Sequence, residues 1–267
     1  MTLLAAALLG IVQGITEFLP VSSTAHLLLI GDAIGHDDPG GVFTVMIQLG
    51  SILAVVWVYR QKIIDILSGL TRPDVRRFAA AVIIATIPAL IAGALFADFV
   101  KRILYESPAV FAWAFIAGGI VMLVLERRTI TPVVQRVDDI SVPRALTVGV
   151  CQTLALVPGV SRSGATIMGG MAAGLSRVAA AEFSFFLAIP TMTAAFVHDL
   201  VEVRGQLSPV RSVEIAVGLV MAFVSSLIVI KPFLGFVGRT GFAPFAWYRI
   251  ALGAALLAAI GAGWVRG

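Results

Sequence analysis

The stretch QGITEFLPVSSTAH, residues 13–26, places an amide, a carboxylate, several hydroxyls and an imidazole inside an otherwise apolar chain. Gln13 and Glu17 are four residues apart and therefore share one face of a helix. Pro20 interrupts that helix, because proline has no N–H to donate and its ring clashes with the preceding turn. The stretch therefore predicts a helix that ends inside a polar cluster.

A second helix is predicted to begin directly after the break. Ser22 or Ser23 is suited to cap its N-terminus, and His26 lies near its start. A simple helix break would explain the proline and one capping serine. It would leave Glu17 and His26 unexplained, because ionisable groups inside a membrane are costly and mark candidate functional sites.

The composition indicates a polytopic membrane protein with a single membrane domain over residues 1–267. Of the 267 residues, 59% are hydrophobic and 13% are charged, and the mean hydropathy is +1.01. Soluble domains carry roughly 25% charged residues. The net charge of +4 is attributed to cytoplasmic loops and to membrane lipids as partners, and not to nucleic acid, since the chain has no basic run. Cys151 is the only cysteine, which excludes an internal disulfide.

Apolar segments of two lengths divide the chain. Two pairs of short segments are each predicted to enter the membrane and return, namely 2–19 with 22–34, and 144–157 with 163–175. Six further segments have the length of about 20 residues that a membrane span needs, and they are 41–59, 78–97, 108–125, 179–198, 214–231 and 245–264.

The two halves of the chain, about 1–126 and 140–267, repeat each other. A shift of 139 residues overlays GIVQGITEFLPVSS (10–23) on GVCQTLALVPGVSR (149–162), and FAWAFIAGG (111–119) similarly resembles FAWYRIALG (245–253). Each half contains one broken pair and three spans. Because three is odd, the second half is predicted to enter the membrane inverted relative to the first.

Inverted repeats with discontinuous helices usually place their site at the repeat interface, near the middle of the membrane. The tips of the two broken pairs are therefore expected to meet there. This would bring polar residues of both halves together, namely Glu17, Ser23, His26, Ser161, Arg162, Ser163 and Thr166.

Basic residues indicate the orientation of the protein. Eleven lie on one side, in loops 60–77, 126–144 and 231–244, and only five lie on the other side, namely Lys101, Arg102, Arg204, Arg211 and Arg266. The positive-inside rule places the eleven in the cytoplasm. The loop 35–41 and the first broken pair are then predicted to lie on the outer side.

The stretch PGVSRSGAT, residues 158–166, has the features of an anion site. Pro158 and Gly159 break the chain, and a helix then begins with two serines, Arg162 and a glycine. Unpaired amides and the dipole at a helix start favour negative charge, and an arginine adds bidentate bonds to phosphate oxygens. As an alternative, Arg162 could neutralise Glu17 in a buried ion pair.

The motifs EFLPVSSTAH (17–26) and PGVSRSGAT (158–166) resemble the two signature motifs of the undecaprenyl-diphosphate phosphatases, also called bacitracin-resistance proteins. Three further stretches are similar to blocks of that family, so that the resemblance covers nearly the whole chain. They are GGVFTVMIQLGSILAV (40–55), ATIPALIAGALF (85–96) and AEFSFFLAIP (181–190).

This resemblance implies an integral enzyme of the bacterial inner membrane. It would remove the terminal phosphate of undecaprenyl diphosphate to give the monophosphate lipid carrier for peptidoglycan synthesis, and bacitracin would compete for the substrate. The implied fold is all-α, with six transmembrane helices and two re-entrant helix pairs in an inverted repeat. The implied active site opens to the periplasmic side, and a homodimer is compatible with the family.

The resemblance also implies roles for the residues of the first motif. Ser22, Ser23 and Thr24 match the catalytic serine region, and His26 matches the catalytic histidine. The family has Glu or Gln followed by Glu four residues later, which are Gln13 and Glu17 here, so only one carboxylate is available. A divalent cation, Mg²⁺ or Ca²⁺, is expected at Glu17 and Gln13, with lower affinity than at two carboxylates.

Two schemes for phosphate cleavage follow. Ser23 and His26 are three residues apart on one helical face, so that either Ser23 attacks with His26 as the base, which we favour, or His26 attacks and becomes phosphorylated. Glu17 would hold the cation or activate the nucleophile. The phosphate would be bound by Ser22, Thr24, Ser161, Arg162, Ser163, Gly164 and Thr166.

Other polar residues have two interpretations each. Gln13, Gln48 and Gln152 either support the site or only hydrogen-bond a neighbouring helix. Glu182 and Arg249 either pair with each other, which is the expected interpretation, or line the cavity. A lipid-phosphate transporter is the competing function, because it would also need Arg162, although it would not need the serine and histidine.

Overall fold

The computed structural model describes residues 2–36, 38, 41–100, 107–128, 131–203 and 209–263. These residues form eleven α-helices and no β-strand. The helices are α1 (Leu3–Thr16), α2 (Ser23–Ala33), α3 (Val42–Val58), α4 (Arg60–Ser68), α5 (Pro73–Phe99), α6 (Pro108–Arg127), α7 (Val142–Gln152), α8 (Arg162–Ala172), α9 (Arg177–Val203), α10 (Pro209–Thr240) and α11 (Ala243–Gly261). The predicted all-α class is confirmed.

Five of these helices are long and apolar enough to cross a membrane, and they lie within α5, α6, α9, α10 and α11. The sixth predicted span, 41–59, corresponds to α3, which has 17 residues and bends by 70° into α4. The described part of the chain therefore has five spans, or six when α3 and α4 are counted together. Several apolar helices of this length indicate a multi-pass membrane protein.

Two predicted loops are helical, which corrects the expected boundaries. Residues 60–68 form α4, and α10 continues through Pro232 to Thr240 instead of ending at 231. Proline in a helix interior removes one hydrogen bond, but the apolar residues that follow it continue to pack. Phe233 and Val237 are buried in the largest hydrophobic cluster, which stabilises this extension.

The helices pack in pairs that correspond between the two halves. Helix α1 lies along α10 and α7 lies along α5, while α6 packs on α11 and α3 packs on α9. Two glycines at equivalent positions allow the closest approaches. A side chain at Gly10 would collide with the carbonyl oxygen of Gly218, and one at Gly149 would collide with that of Ala85.

Both broken segments turn at a serine with left-handed backbone. Ser22 has φ of 69° and Ser161 has φ of 73°, and no other residue except glycine has positive φ among those described. The two serines are 139 residues apart, which is the repeat shift found in the sequence. Such backbone is uncommon outside glycine, and when it recurs at equivalent positions it indicates a constraint from the surrounding structure.

Candidate active site

Glu17 lies at the centre of a buried hydrogen-bonded cluster. It follows the last turn of α1, and its Oε2 accepts hydrogen bonds from Gln13 Nε2 at 2.9 Å and from Ser23 Oγ at 2.6 Å. Its Oε1 accepts from Arg162 Nη2 at 2.8 Å. The carboxylate of the first broken segment is therefore joined to the arginine of the second, so the buried ion pair that was given as an alternative is present.

Arg162 is held by α9 as well as by Glu17. Its Nη1 donates to the carbonyl oxygen of Ser184 at 3.0 Å, and its Nη2 lies 3.0 Å from Met192 Sδ. Its Nε is buried and has no hydrogen-bond partner among the described residues. The guanidinium is thus fixed in position while one N–H donor remains available.

A cavity of about 290 Å³ opens beside this cluster. Ala89 of α5 and Ala195 of α9 line it, both in the second half of their helices. Those ends of α5 and α9 are the ones that basic-residue counting places on the outer side. The polar residues in its wall come from both broken segments and from α3 and α9, namely Glu17, Ser22, Ser23, Thr24, Gln48, Gln152, Ser161, Arg162 and Thr191.

Three residues of the expected phosphate-binding set do not line this cavity. Ser163 Oγ donates to Leu19 O at 2.8 Å and so ties the two broken segments together. Gly164 N donates to Ser161 Oγ, which caps α8, and Thr166 Oγ1 donates to Ser184 Oγ at 2.7 Å. The hydrogen bonds of these three residues are made within the protein. They therefore hold Arg162 and helix α8 in position.

Both ring nitrogens of His26 are bonded to groups other than Ser23, so the expected pairing of the two side chains is not found among the described residues. His26 Nδ1 is 2.8 Å from the carbonyl oxygen of Ser22, and Nε2 is 2.6 Å from Tyr248 Oη. The left-handed turn at Ser22 directs Ser23 toward Glu17, while His26 faces α11. In the neutral tautomer Nδ1–H donates to the carbonyl and Nε2 accepts from the tyrosine.

Tyr248 was not anticipated from the sequence. It lies 222 residues from His26, and its ring stacks on the imidazole with 15° between the planes. The only signal was its position in the repeated stretch 245–253, where the second half has Tyr and Arg in place of Ala and Phe.

Arg249 is fully buried and contacts both broken segments. Its guanidinium donates to Pro20 O at 3.0 Å on one side, and to Gly159 O and Val160 O, both at 2.9 Å, on the other. It also donates to the carbonyl oxygen of Ala114 on α6 at 3.0 Å. The expected pair with Glu182 is therefore wrong.

Glu182 instead accepts from Tyr59 Oη at 3.3 Å, near the bend between α3 and α4. Arg249 is satisfied by carbonyl oxygens that the helix breaks leave without helical partners. A short sequence comparison cannot identify such partners, because every residue has a carbonyl group.

The two residues expected to bind a divalent cation, Glu17 and Gln13, hydrogen-bond each other. No group of three or more His, Cys, Asp or Glu residues is assembled within the described ranges. Both oxygens of Glu17 already accept hydrogen bonds, one of them from the cationic Arg162. Gln13 is fully buried and does not line the cavity, although its Oε1 has no partner among the described residues.

These features define a class of protein: a multi-pass α-helical membrane protein with a buried serine–carboxylate–arginine cluster where two broken segments meet. A model of the family described as bacitracin resistance protein BacA matches residues 6–255. The chain therefore belongs to the bacitracin resistance protein family.

Named relatives agree with this assignment. Undecaprenyl-diphosphatase 2 of Paramagnetospirillum magneticum is 52% identical over 252 residues, covering 94% of this chain and 96% of the relative. Undecaprenyl-diphosphatase 1 of Agrobacterium fabrum is 48% identical over 97% of both chains. Undecaprenyl-diphosphatase of Acinetobacter baumannii is 50% identical over 95% of this chain and 94% of the relative.

Proposed function

We propose that this protein is an undecaprenyl-diphosphate phosphatase. It hydrolyses undecaprenyl diphosphate to undecaprenyl phosphate and inorganic phosphate, recycles the lipid carrier for peptidoglycan synthesis, and counteracts bacitracin, which competes for the same lipid. The relatives from Paramagnetospirillum, Agrobacterium and Acinetobacter are all named for the phosphatase activity, and these names give no support to the transporter alternative.

The main support for the proposal is the contact of Ser23 and Arg162 with the same carboxylate, that of Glu17. Ser23 Oγ donates to Glu17 Oε2 at 2.6 Å, and Arg162 lies 2.8 Å from the other oxygen of the same carboxylate, all at one cavity. Phosphoryl transfer needs a nucleophile, a proton acceptor and stabilisation of charge on the phosphate oxygens. These three side chains can supply the three requirements.

In the first step, Ser23 Oγ attacks the terminal phosphorus and its proton passes to Glu17. The bond from that phosphorus to the bridging oxygen breaks, and the bridging oxygen leaves with the lipid monophosphate. Glu17 gives the proton to this departing monophosphate and becomes a carboxylate again. Arg162 stabilises the charge on the transferred group through its guanidinium, whose Nε–H has no partner among the described residues. The product is a phosphoserine at position 23.

In the second step, water attacks the phosphoserine and Glu17 accepts a proton from that water. The bond between phosphorus and Ser23 Oγ breaks, and Glu17 returns its proton to the serine oxygen. Inorganic phosphate then leaves through the cavity. Glu17 thus acts as the proton acceptor in both steps.

His26 has a positioning role in this scheme. Its bond to the carbonyl oxygen of Ser22 supports the left-handed turn that directs Ser23 toward Glu17, and Tyr248 fixes the tautomer that donates this bond. Added imidazole should therefore fail to rescue His26→Ala, and no phosphohistidine should accumulate.

The test compares Ser23→Ala with wild type and with Ser225→Ala. Ser225 is also buried, but its hydroxyl bonds back to carbonyl oxygens of α10 itself, those of Met221 and Ala222. We expect Ser23→Ala to lose phosphate release from farnesyl diphosphate by about 10³-fold or more, while Ser225→Ala stays close to wild type. Wild-type-like turnover by a folded Ser23→Ala protein, or trapping of phosphate on His26, would contradict the scheme.

We also propose that the halves form an inverted repeat with two re-entrant pairs, in the bacterial inner membrane, with the site open to the periplasm. The equivalent turns at Ser22 and Ser161 and the matching helix pairs support this arrangement. Of the five basic residues expected outside, Lys101, Arg102, Arg204 and Arg266 lie outside the described residues. In a Cys151→Ser background, a cysteine at Ser68 should be labelled only from the cytoplasm and one at His36 only from the periplasm.

A divalent cation, if the reaction requires Mg²⁺ or Ca²⁺, is proposed to arrive with the diphosphate. Magnesium commonly binds through one carboxylate and substrate phosphates. That mode suits a cavity with Glu17 as its only carboxylate among the described lining residues. A homodimer and bound anionic lipids remain predictions, which light scattering and lipid analysis of the purified protein would test.

A further inference from the structure

Gln152 has a buried side-chain amide that finds no partner in the part of the chain that the structure describes. It ends α7, it is only 3% exposed, and neither its Nε2 nor its Oε1 has a hydrogen-bond partner among the described residues. The side chain also lines the active-site cavity. An unpaired buried amide destabilises the free protein, and a native structure keeps one where a ligand or an ordered water completes its hydrogen bonds.

The comparison with Gln13 shows why this amide is unpaired. The two glutamines occupy equivalent positions, 139 residues apart. Gln13 Nε2 donates to Glu17, which is four residues further along the chain. The residue four positions after Gln152 is Leu156, which offers no acceptor. The second half therefore has the same amide without its carboxylate, and Gln152 lines the cavity that Arg162 also lines.

The alternative interpretation, a bond between neighbouring helices, is not supported by the contacts. Such a bond would appear as a partner of Nε2 or Oε1, and none is found in the described ranges. The amide therefore remains available to whatever occupies the cavity.

We infer that Gln152 binds the phosphate that stays on the lipid, by donating Nε2–H to one of its non-bridging oxygens. This inference rests on the proposed function. Attack by Ser23 places the leaving group on the far side of the terminal phosphorus, because the attacking and leaving oxygens lie roughly in line. Ser23 belongs to the first broken segment, and Gln152 to the second.

The wall next to Gln152 fits a lipid phosphate. Ala155, Leu156 and Val157 line the same cavity directly after it. A diphosphate joined to a prenyl chain needs polar donors that are followed by apolar surface. Gln152 supplies the polar donor, and Ala155, Leu156 and Val157 supply the apolar surface that follows it. A neutral amide also binds the departing monophosphate without the strong charge attraction that would slow its release.

The test distinguishes binding of the lipid monophosphate from binding of inorganic phosphate. Gln152→Leu should raise KM for farnesyl diphosphate about tenfold, as expected for loss of a hydrogen bond to a charged group, with a smaller change in kcat. The inhibition constant of farnesyl monophosphate should rise by a similar factor, while that of inorganic phosphate should not change. Gln61→Leu is the matched control, since Gln61 is exposed and bonds only Asp65.

Other outcomes overturn the inference. Unchanged inhibition by farnesyl monophosphate would mean that Gln152 does not contact the lipid phosphate, and weaker inhibition by inorganic phosphate alone would assign it to the terminal phosphate. Should Gln152→Leu fail to fold, Gln152→Glu keeps the size and should weaken binding of farnesyl monophosphate further by repulsion; unchanged binding would refute the inference. A wild-type protein that binds farnesyl diphosphate but releases no phosphate would refute the proposed function instead.

Discussion

At the scale of single residues, the Glu17 carboxylate holds the other polar side chains of the site in place. It accepts hydrogen bonds from an amide, a hydroxyl and a guanidinium, which come from α1, α2 and α8. Removing one partner of such a buried cluster leaves the others without hydrogen bonds. Single substitutions here should therefore have large effects on stability.

Arg162→Lys tests whether the planar guanidinium is needed. Lysine keeps the charge, but it cannot bond Glu17 and Ser184 simultaneously in the geometry of the guanidinium. We expect kcat/KM for farnesyl diphosphate to fall about 100-fold or more. Arg177→Lys is the control, because Arg177 pairs with Glu126 at a separate cavity and is partly exposed. Near-normal turnover of Arg162→Lys would remove Arg162 from phosphate binding.

Gln13→Glu tests the cation proposal. The substitution replaces the N–H donor that lies 2.9 Å from Glu17 with a second carboxylate, and two buried carboxylates this close repel each other unless a proton or cation joins them. The variant should lose activity in EDTA and regain it with Mg²⁺ or Ca²⁺, and it should depend on the cation more strongly than wild type does. Equal activity of the variant with and without EDTA would count against a cation at this position.

Residue spacing predicted some of these contacts and missed others. The bond between Gln13 and Glu17 follows directly from helical spacing, and the meeting of Glu17 with Arg162 follows from the repeat. The orientation of His26 depends on the left-handed backbone at Ser22 and on a tyrosine 222 residues away. Neither is encoded in local spacing.

At the scale of elements, the two broken segments share a turn but stabilise it differently. Ser161 Oγ accepts from Gly164 N and caps α8, whereas Ser22 makes no side-chain capping bond to α2. The left-handed backbone is unfavourable for serine at both positions. A capping hydrogen bond therefore offsets the backbone strain at Ser161, while no such bond offsets it at Ser22.

Glycine at each turn should reveal this difference. Ser22→Gly relieves backbone strain and loses no cap, so the free energy of unfolding should stay equal or rise by about 1 kcal/mol. Ser161→Gly also loses a capping bond, so it should be less stable than Ser22→Gly by about 1 kcal/mol. Thermal unfolding of both variants in the same detergent measures the difference. A less stable Ser22→Gly would show that its hydroxyl has a stabilising role that the capping bonds do not account for.

The apolar pattern predicted the elements better than their ends. All six expected spans correspond to helices, because long apolar runs have few alternatives in a membrane. The end of α10 was placed too early, since Lys231 and Pro232 resemble a helix end while burial of Phe233 continues the helix. Tertiary packing, which local sequence does not report, decided that boundary.

For the whole molecule, Arg249 is the residue of α11 that bonds both broken segments at once. Arg249→Met keeps most of the side-chain volume, but it leaves several buried carbonyl oxygens without donors, among them Pro20 O and Val160 O. We expect a loss of about 3 kcal/mol or more in the free energy of unfolding. Thermal unfolding in detergent measures this loss, and Arg239→Met, at an exposed position on α10, should be neutral. Equal stability of the two variants would contradict the joining role.

This arginine also sets an order of events during synthesis. Arg249 belongs to α11, which leaves the ribosome after the ten helices that precede it, and it bonds the carbonyl of a residue 229 positions earlier. Until α11 inserts, the nascent chain holds both helix breaks in the bilayer with their carbonyl groups unpaired. The insertion machinery must also deliver a charged guanidinium to the interior at the final step. Pairing of these carbonyl groups is therefore completed only at the end of biogenesis, and a chain that stops before α11 is expected to be a target for membrane quality-control proteases.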